Sequence, residues 1–221
     1  MTSLKKSLFE QFALAAKAMS SGNRLEILEL LAQCEYSVED LANVVGLSVA
    51  NTSHHLQQLR HAGLVTSRKE AQRVYYRLSG EDVVALLNSL RTVAERHLTE
   101  VNQLVAAFLT TKDGMEPIRR EELLRRAREG TVTVLDVRPP AEYAAGHVPG
   151  AVNIPLRKLK QRLTELDPGL DVVAYCRGPH CVLAFEAVRM LRARGFKARR
   201  LEYGFPEWKQ AGLPVEGMSA T

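Results

Sequence analysis

Two of the chain's three cysteines bracket a stretch that neither a helix nor a strand would choose. In "VVAYCRGPHCVLAFEAVRML" (residues 172–191) an apolar run stops at Cys176, Arg177, Gly178, Pro179 and His180 follow, and a helical pattern resumes after Cys181. Between a strand end and a helix start, successive backbone N–H groups can curl inward into an anion-binding nest, and the helix dipole adds positive potential. A cysteine in such a cradle loses its proton more easily, and the thiolate is the nucleophile. Gly178 and Pro179 suit the tight turn that a ring of amides needs, and Arg177 adds positive charge. Cys176 is therefore the candidate nucleophile. The other reading of Cys176, a buried core thiol, fits poorly with its place between an apolar run and "RGPH". Cys181 has its own plain reading as a small apolar residue opening a helix.

The elements that would position this loop repeat around it. After the polar joint "TTKDGMEP", a helical period appears in "IRREELLRRAREG", followed by the strand-like runs "VTVLDVR", "DVVAYC" and "KARRLE" with helical segments between and after them. Strands alternating with helices predict an α/β layer on a parallel sheet, whose chemistry gathers beyond the carboxyl ends of the strands. Cys176 sits at such an end.

Residues 117–216 resemble the rhodanese family. "LDVRPPAEYAAGHVPGAVNIP" (135–155) is similar to its first signature and "YGFPEWKQAGLPV" (203–215) to its closing segment. The resemblance implies a sulfurtransferase-like fold in which Cys176 accepts a sulfane sulfur as a persulfide from thiosulfate, polysulfide or a low-molecular-weight persulfide. Residues 176–181 (Cys176, Arg177, Gly178, Pro179, His180, Cys181) would form the substrate loop, with Asp136 and Arg138 ordering the site or, equally, holding loops as a strand-end polar pair. The chain departs from the family in having Cys181 where many members end the loop with arginine, and Tyr203 for the first of a glycine pair. Val182 stands where a phosphatase-like Cys-x5-Arg pattern needs arginine, which argues against phosphate-ester hydrolysis. A Cys181 thiolate could attack the Cys176 persulfide and leave a Cys176–Cys181 disulfide or a polysulfide bridge.

The first half looks built for different work. Residues 1–114 carry 12 Lys/Arg and 12 Asp/Glu, yet no acid lies between Leu41 and Lys69, while Arg60, Arg68, Lys69, Arg73 and Arg77 cluster around that gap with Glu70 opposing them. A local basic zone suits phosphate contacts, although a solvated surface can also be basic. Asn23 is a cap for a helix through Leu31. Ser37 with Asp40 makes an approximate capping box for "SVEDLANVV", Gly46 ends that helix, and Ser48 caps a next one that closes at Gly63. Two short helices joined at a glycine form a helix-turn-helix, and "LVTSRK" and "RVYYRLS" read as a hairpin wing. On the second helix Val49, Leu56 and Leu59 are expected to face the core. Asn51, Thr52, Ser53, His54, Gln57 and Gln58 are left to base edges, and Arg60, Arg68, Lys69 and Arg73 to phosphates.

"ANVVGLSVANTSHHLQQLRHAGLVTSRKEAQRVYYRL" resembles the ArsR/SmtB-type bacterial repressors, over about residues 8–108. That implies a cytoplasmic homodimeric repressor that leaves operator DNA when an inducer binds. A long helix over "EDVVALLNSLRTVAERHLTEVNQLVAAFL", with Val83, Leu87, Leu90, Ala94, Val101, Leu104 and Phe108 along one side, is too apolar to stand exposed and suits pairing across a two-fold axis. Ser37 and Glu39 occupy the cysteine positions of the metal-sensing members. Val84 and Leu86 occupy half of their other site, whose remaining half would be His97 and Glu100. No metal and no cofactor are expected.

The expected architecture is two domains: an α+β, mostly helical winged helix-turn-helix over residues 1–110, a linker at 111–116, and an α/β rhodanese-like parallel sheet over 117–221. The N-terminal lysines and apolar run could suggest a leader, but Glu10, Gln11 and Lys17 interrupt it. Its Leu8, Phe12, Ala15, Met19 spacing is that of an amphipathic helix. An odd cysteine count fits a reducing compartment, and no membrane-spanning run is present. The joint reading is a repressor that senses or transfers sulfane sulfur. The alternatives are a thiosulfate or persulfide sulfurtransferase merely regulated or localised by its DNA-binding half, and a repressor that takes arsenite between Cys176 and Cys181.

Overall fold

A computed structural model describes residues 2–105, 107 and 117–217, and the chain divides into two compact units, Met1–Ser89 and Leu90–Thr221. Phe108 and the expected linker at 111–116 lie outside the described residues. The division falls inside a helix, so residues from Leu90 onward group with the second unit, where the sequence grouping kept all of 1–110 together.

The first unit holds α1 (Thr2–Ala18), α2 (Gly22–Leu31), β1 (Tyr36–Ser37), α3 (Val38–Val45), α4 (Val49–His61), β2 (Val65–Glu70) and β3 (Arg73–Leu78), and α5 (Glu81–His97) begins there. Its helix ends are set by local chemistry. The Ser37 hydroxyl accepts from the Asp40 amide at 3.1 Å and opens α3; the Ser48 hydroxyl accepts from the Asn51 amide at 3.2 Å and opens α4. Gly46 closes α3 in the left-handed region, at φ 69°, which a side chain would resist. Helix α2 starts earlier than its sequence suggested: Ser21 is the N-cap and Asn23 lies in the first turn. Among the described residues the sheet has the order β1-β3-β2, with β2 and β3 antiparallel from Val65↔Leu78 to Glu70↔Arg73. Only Ala71 and Gln72 are left to turn the wing, and Ala71 takes a positive φ of 52° to do so. Ile27, Leu28, Leu41, Leu56 and Leu59, all fully buried, form the centre of this core, and Val83 from α5 joins it.

The long helix expected from residue 81 onward is interrupted at Leu98, giving α5 and α6 (Thr99–Val105). Thr99, whose β-branched side chain and hydroxyl favour helix starts over interiors, opens the second piece. Of the apolar side read from sequence, Val83 is buried, Leu87, Ala94 and Val101 are half-buried, and Leu90 and Leu104 are exposed. Leu8 and Phe12 on α1 are exposed as well.

The second unit continues with α7 (Arg120–Arg128), β4 (Val132–Asp136), α8 (Pro140–Ala145), β5 (Val152–Asn153), α9 (Leu156–Leu159), β6 (Asp171–Tyr175), α10 (Val182–Arg192), β7 (Ala198–Arg200) and α11 (Phe205–Gln210). Among the described residues its sheet is parallel throughout, in the order β5-β4-β6-β7. The two-residue period of a strand divides its side chains between two cores. Val172, Ala174 and Cys176 face one cluster with Ala184, Ala187, Val188 and Leu191 of α10, while Val173 and Tyr175 face the other with Leu123 and Trp208. No helix among the described residues is long and apolar enough to cross a membrane.

Candidate functional site

Strand parity decides where Cys176 points. Spaced by two from Ala174 and by four from Val172, its side chain falls on the same α10 face and is 1% exposed, among the core residues from which the sequence reading kept it apart. Cys181 is the N-cap residue of α10, so the chain turns back to the same face within the loop. The two sulfurs are joined as a disulfide, S–S 2.05 Å, with Cα atoms 6.3 Å apart. The Cys181 N–H donates to the Gly178 carbonyl at 3.1 Å, so in this closed form that amide serves the turn itself. The Cys176 carbonyl accepts from the Phe205 amide at 3.0 Å, tying the start of the loop to α11.

Beneath the loop lies a buried ionic network. Asp136 and Arg138, both 0% exposed, meet with Arg138 Nη2 2.7 Å from Asp136 Oδ2. Arg138 also donates to the Gly146 carbonyl at 2.7 Å, and its guanidinium lies 4.3 Å from the Phe205 ring centroid. The Tyr175 hydroxyl donates to Asp136 Oδ2 at 2.6 Å and accepts from the Val148 amide at 3.1 Å. Burial, and then the Asp136 charge beside it, hold the Tyr175 hydroxyl well above its ordinary range, so it stays a neutral donor. Burial works against the Arg138 cation, but the hydrogen bond and charge of Asp136 outweigh it and its pKa rises. Asn153 donates to the carbonyls of Asp136 and Arg138 at 3.1 and 3.0 Å. Asp136 and Arg138 thus hold the ends of the strand and the loops around it.

Arg177 turns toward Glu142, which is fully buried, with Nη2 to Oε1 at 2.6 Å. Its charge is balanced by that carboxylate. Gly204, the N-cap of α11, packs against the same segment: a Cβ there would lie 2.3 Å from the Arg177 carbonyl carbon and the Gly178 nitrogen. That closeness explains why this member of the expected glycine pair is kept while Tyr203, 43% exposed, can carry a side chain.

In the first unit, α4 presents Asn51, His54, Gln57 and Arg60 to the outside, with Ser53 and Gln58 half-buried. Gln58 is held between Arg24 Nη1 at 2.5 Å and His54 Nε2 at 2.8 Å. Lys69 and Arg73 are exposed on the wing, and Arg73 is bonded to Tyr75. Arg68 is exposed too, but it is paired with Glu35 at 2.6 Å and with Glu70.

Two family models match this chain: "Bacterial regulatory protein, arsR family" over residues 21–67 and "Rhodanese-like domain" over residues 119–211. The HTH-type transcriptional regulator Rv0324 of Mycobacterium tuberculosis is 47% identical over 212 residues, spanning 96% of this chain and 93% of that protein. The chain belongs to the ArsR family of bacterial regulatory proteins and carries a rhodanese-like domain. A sulfurtransferase of Allochromatium vinosum is 33% identical over 92 residues, 41% of the ArsR-family chain and 84% of that protein. A solution structure of a homodimeric winged helix-turn-helix domain from Mycobacterium bovis is 44% identical, covers 43% of the chain and 89% of its own, and superposes with a TM-score of 0.41.

Two expectations about α4 of this ArsR-family chain need correction. Thr52 is fully buried and cannot reach DNA, whereas Val49, expected in the core, is 48% exposed. The inward stripe is Thr52, Leu56, Leu59; Val49 continues the same spacing but, as the first residue of α4, lies beyond the edge of the core. Glu35, Glu142, Tyr175 and Gly204 were not singled out from the sequence. Glu142 and Glu35 lie 35 and 33 residues from their arginine partners, too far for local sequence to signal either pair.

Proposed function

We propose that this ArsR-family chain is a homodimeric repressor that binds operator DNA in the cytoplasm and leaves it when sulfane sulfur reacts at Cys176. The observation that most supports the sulfur reading is the pairing of Cys176 and Cys181 across one short loop at the carboxyl end of β6. With thiosulfate as donor, the Cys176 thiolate attacks the sulfane sulfur and forms a persulfide as sulfite leaves. The Cys181 thiolate then attacks the Cys176 sulfur of that persulfide, the bond to the outer sulfur breaks, and hydrosulfide departs. The sulfane sulfur is reduced to sulfide while the two thiols are oxidised to the disulfide, so no further oxidant is required. Weakening operator binding tenfold to a hundredfold needs about 1.4–2.8 kcal/mol of coupling.

DNA contact is assigned to Asn51, Ser53, His54, Gln57 and Gln58 for bases and to Arg60, Arg68, Lys69 and Arg73 for phosphates. Dimerisation is assigned to the exposed apolar faces of α1 and of the α5–α6 segment. Operator binding measured before and after polysulfide treatment tests the whole reading, alongside Cys176→Ser and Cys181→Ser. Equal affinities with and without donor refute it. Uptake of sulfur by both serine variants as in wild type refutes the two-cysteine chemistry.

A second reading, turnover as a sulfurtransferase, is favoured by the likeness to the Allochromatium sulfurtransferase. Rapid thiosulfate:cyanide turnover abolished in Cys176→Ser supports it, and a single equivalent of transferred sulfur supports the sensor.

A further inference from the structure

Within the second unit, the Cys176–Cys181 loop is contacted by a helix that lies outside the matched rhodanese-like segment. His180, adjacent to Cys181, has its Nε2 2.6 Å from Glu95 Oε1 on α5. A carboxylate only accepts, so His180 donates. One turn earlier on the same face, Arg91 Nη1 lies 3.1 Å from Glu207 Oε1 of α11. Glu207 in turn accepts the Gly204 amide at 3.0 Å, and Gly204 is the residue packed against the backbone of Arg177 and Gly178. The stretch from Arg91 to Glu95 therefore holds both the disulfide loop and the helix that buttresses it.

We propose that Glu95 is a positioning residue for this loop, acting through His180, and that their contact favours the disulfide form over the dithiol. The inference rests on the redox reading of Cys176 and Cys181 and adds the residue that biases it. Reduction breaks the sulfur–sulfur bond that fixes the position of Cys181, and with it the placement of its neighbour His180. Linkage is reciprocal: whatever Glu95 contributes to the closed loop, closing the loop contributes to that stretch of α5. Both side chains are about one-third exposed, so the effect is that of a surface pair rather than a buried one.

The test is the thiol–disulfide equilibrium of the full-length protein in glutathione buffers, in which two glutathione thiols reduce the protein disulfide and leave as oxidised glutathione. Acid-quenched samples are alkylated and their free thiols counted by mass spectrometry. Glu95→Ala is expected to shift the equilibrium about two- to fivefold toward the dithiol. Fivefold corresponds to roughly 20 mV for this two-electron couple. Glu95→Gln, which keeps an acceptor and the helix, is expected to recover part of the shift, and His180→Gln combined with Glu95→Ala to add nothing beyond Glu95→Ala alone. An unchanged equilibrium in Glu95→Ala, a shift toward the disulfide, or additive effects in the double variant overturns the proposal while leaving the sulfur chemistry standing. A wild-type protein that forms no Cys176–Cys181 disulfide in these buffers overturns both.

Discussion

Replacing Asp136 by asparagine isolates what the buried network beneath the loop contributes. The carboxylate receives the Arg138 backbone amide at 2.9 Å, the Arg138 guanidinium on both oxygens, and the Tyr175 hydroxyl at 2.6 Å. Asparagine keeps the shape but removes the charge and presents an NH2 group to one set of donors. Arg138, 0% exposed, then keeps a full positive charge after losing the carboxylate it meets through both oxygens, with the Gly146 carbonyl and the Phe205 and Tyr175 rings still beside it. Breaking one partner of a buried pair costs about 3–5 kcal/mol because the other charge stays buried. Domains of this size have about 5–15 kcal/mol in all. Each kcal/mol moves the melting temperature of a domain of about 100 residues by roughly 4–8 °C, so a fall of more than about 12 °C is expected. Thermal melting followed by circular dichroism reads that fall, and urea unfolding gives the free-energy loss itself. The double replacement Asp136→Asn with Arg138→Met, which removes both charges, is expected to recover at least half of the loss. A single variant that loses less than about 1 kcal/mol, or a double variant less stable than the single, refutes the view that uncompensated charge dominates this site.

Other perturbations bear on the first unit. Thr52 Oγ1 is buried without a hydrogen-bond partner among the described residues, so Thr52→Val is expected to raise stability by about 1 kcal/mol, read as a higher urea midpoint at unchanged slope. Glu35 neutralises Arg68, so Glu35→Gln is expected to strengthen operator binding at low salt and steepen the log–log salt dependence by up to about 0.9, by fluorescence anisotropy. Burial, then Arg24 and His54, lower the His55 pKa below its ordinary 6.5. The folded form therefore resists the proton that the unfolded chain accepts: the stability that neutral His55 provides is complete above about pH 6.5 and declines as pH falls below it. Melting curves from pH 7 to pH 5 should fall less steeply for His55→Gln than for wild type.

Local signals carried much of this fold. The caps at Ser37 and Ser48 and the glycine at position 46 act within one helical turn, so their residue types are enough to place α3 and α4. The runs that became β4 and β6 are uninterrupted and β-branched, and the structure keeps them with boundaries shifted by a residue or two. What escaped depends on distant partners. The burial of Thr52 and exposure of Val49 follow from which turn of α4 meets the core, not from the hydrophobicity of either side chain. The two-residue β5 has too short a run to show a period. For the candidate site, the loop and its two cysteines were legible, as was the pairing of Asp136 with Arg138. The burial of Cys176 runs against the sequence reading, which set a core thiol aside; strand parity from Val172 accounts for it, while the turn of Arg177 toward Glu142 requires a contact 35 residues away.

The borders of the second sheet bear on how safely its loop can open. One border strand, β5, spans two residues; the other, β7, spans three, two of them arginines. The outer side of β7 is already taken by Ile118, whose amide donates to the Arg200 carbonyl at 2.8 Å and whose carbonyl accepts from Glu202 at 3.0 Å. A neighbouring molecule finds little unoccupied backbone there on which to add a strand. Loosening of the loop at the end of β6, as the proposed redox chemistry would bring, therefore leaves little strand edge at the β7 border on which aggregates could start.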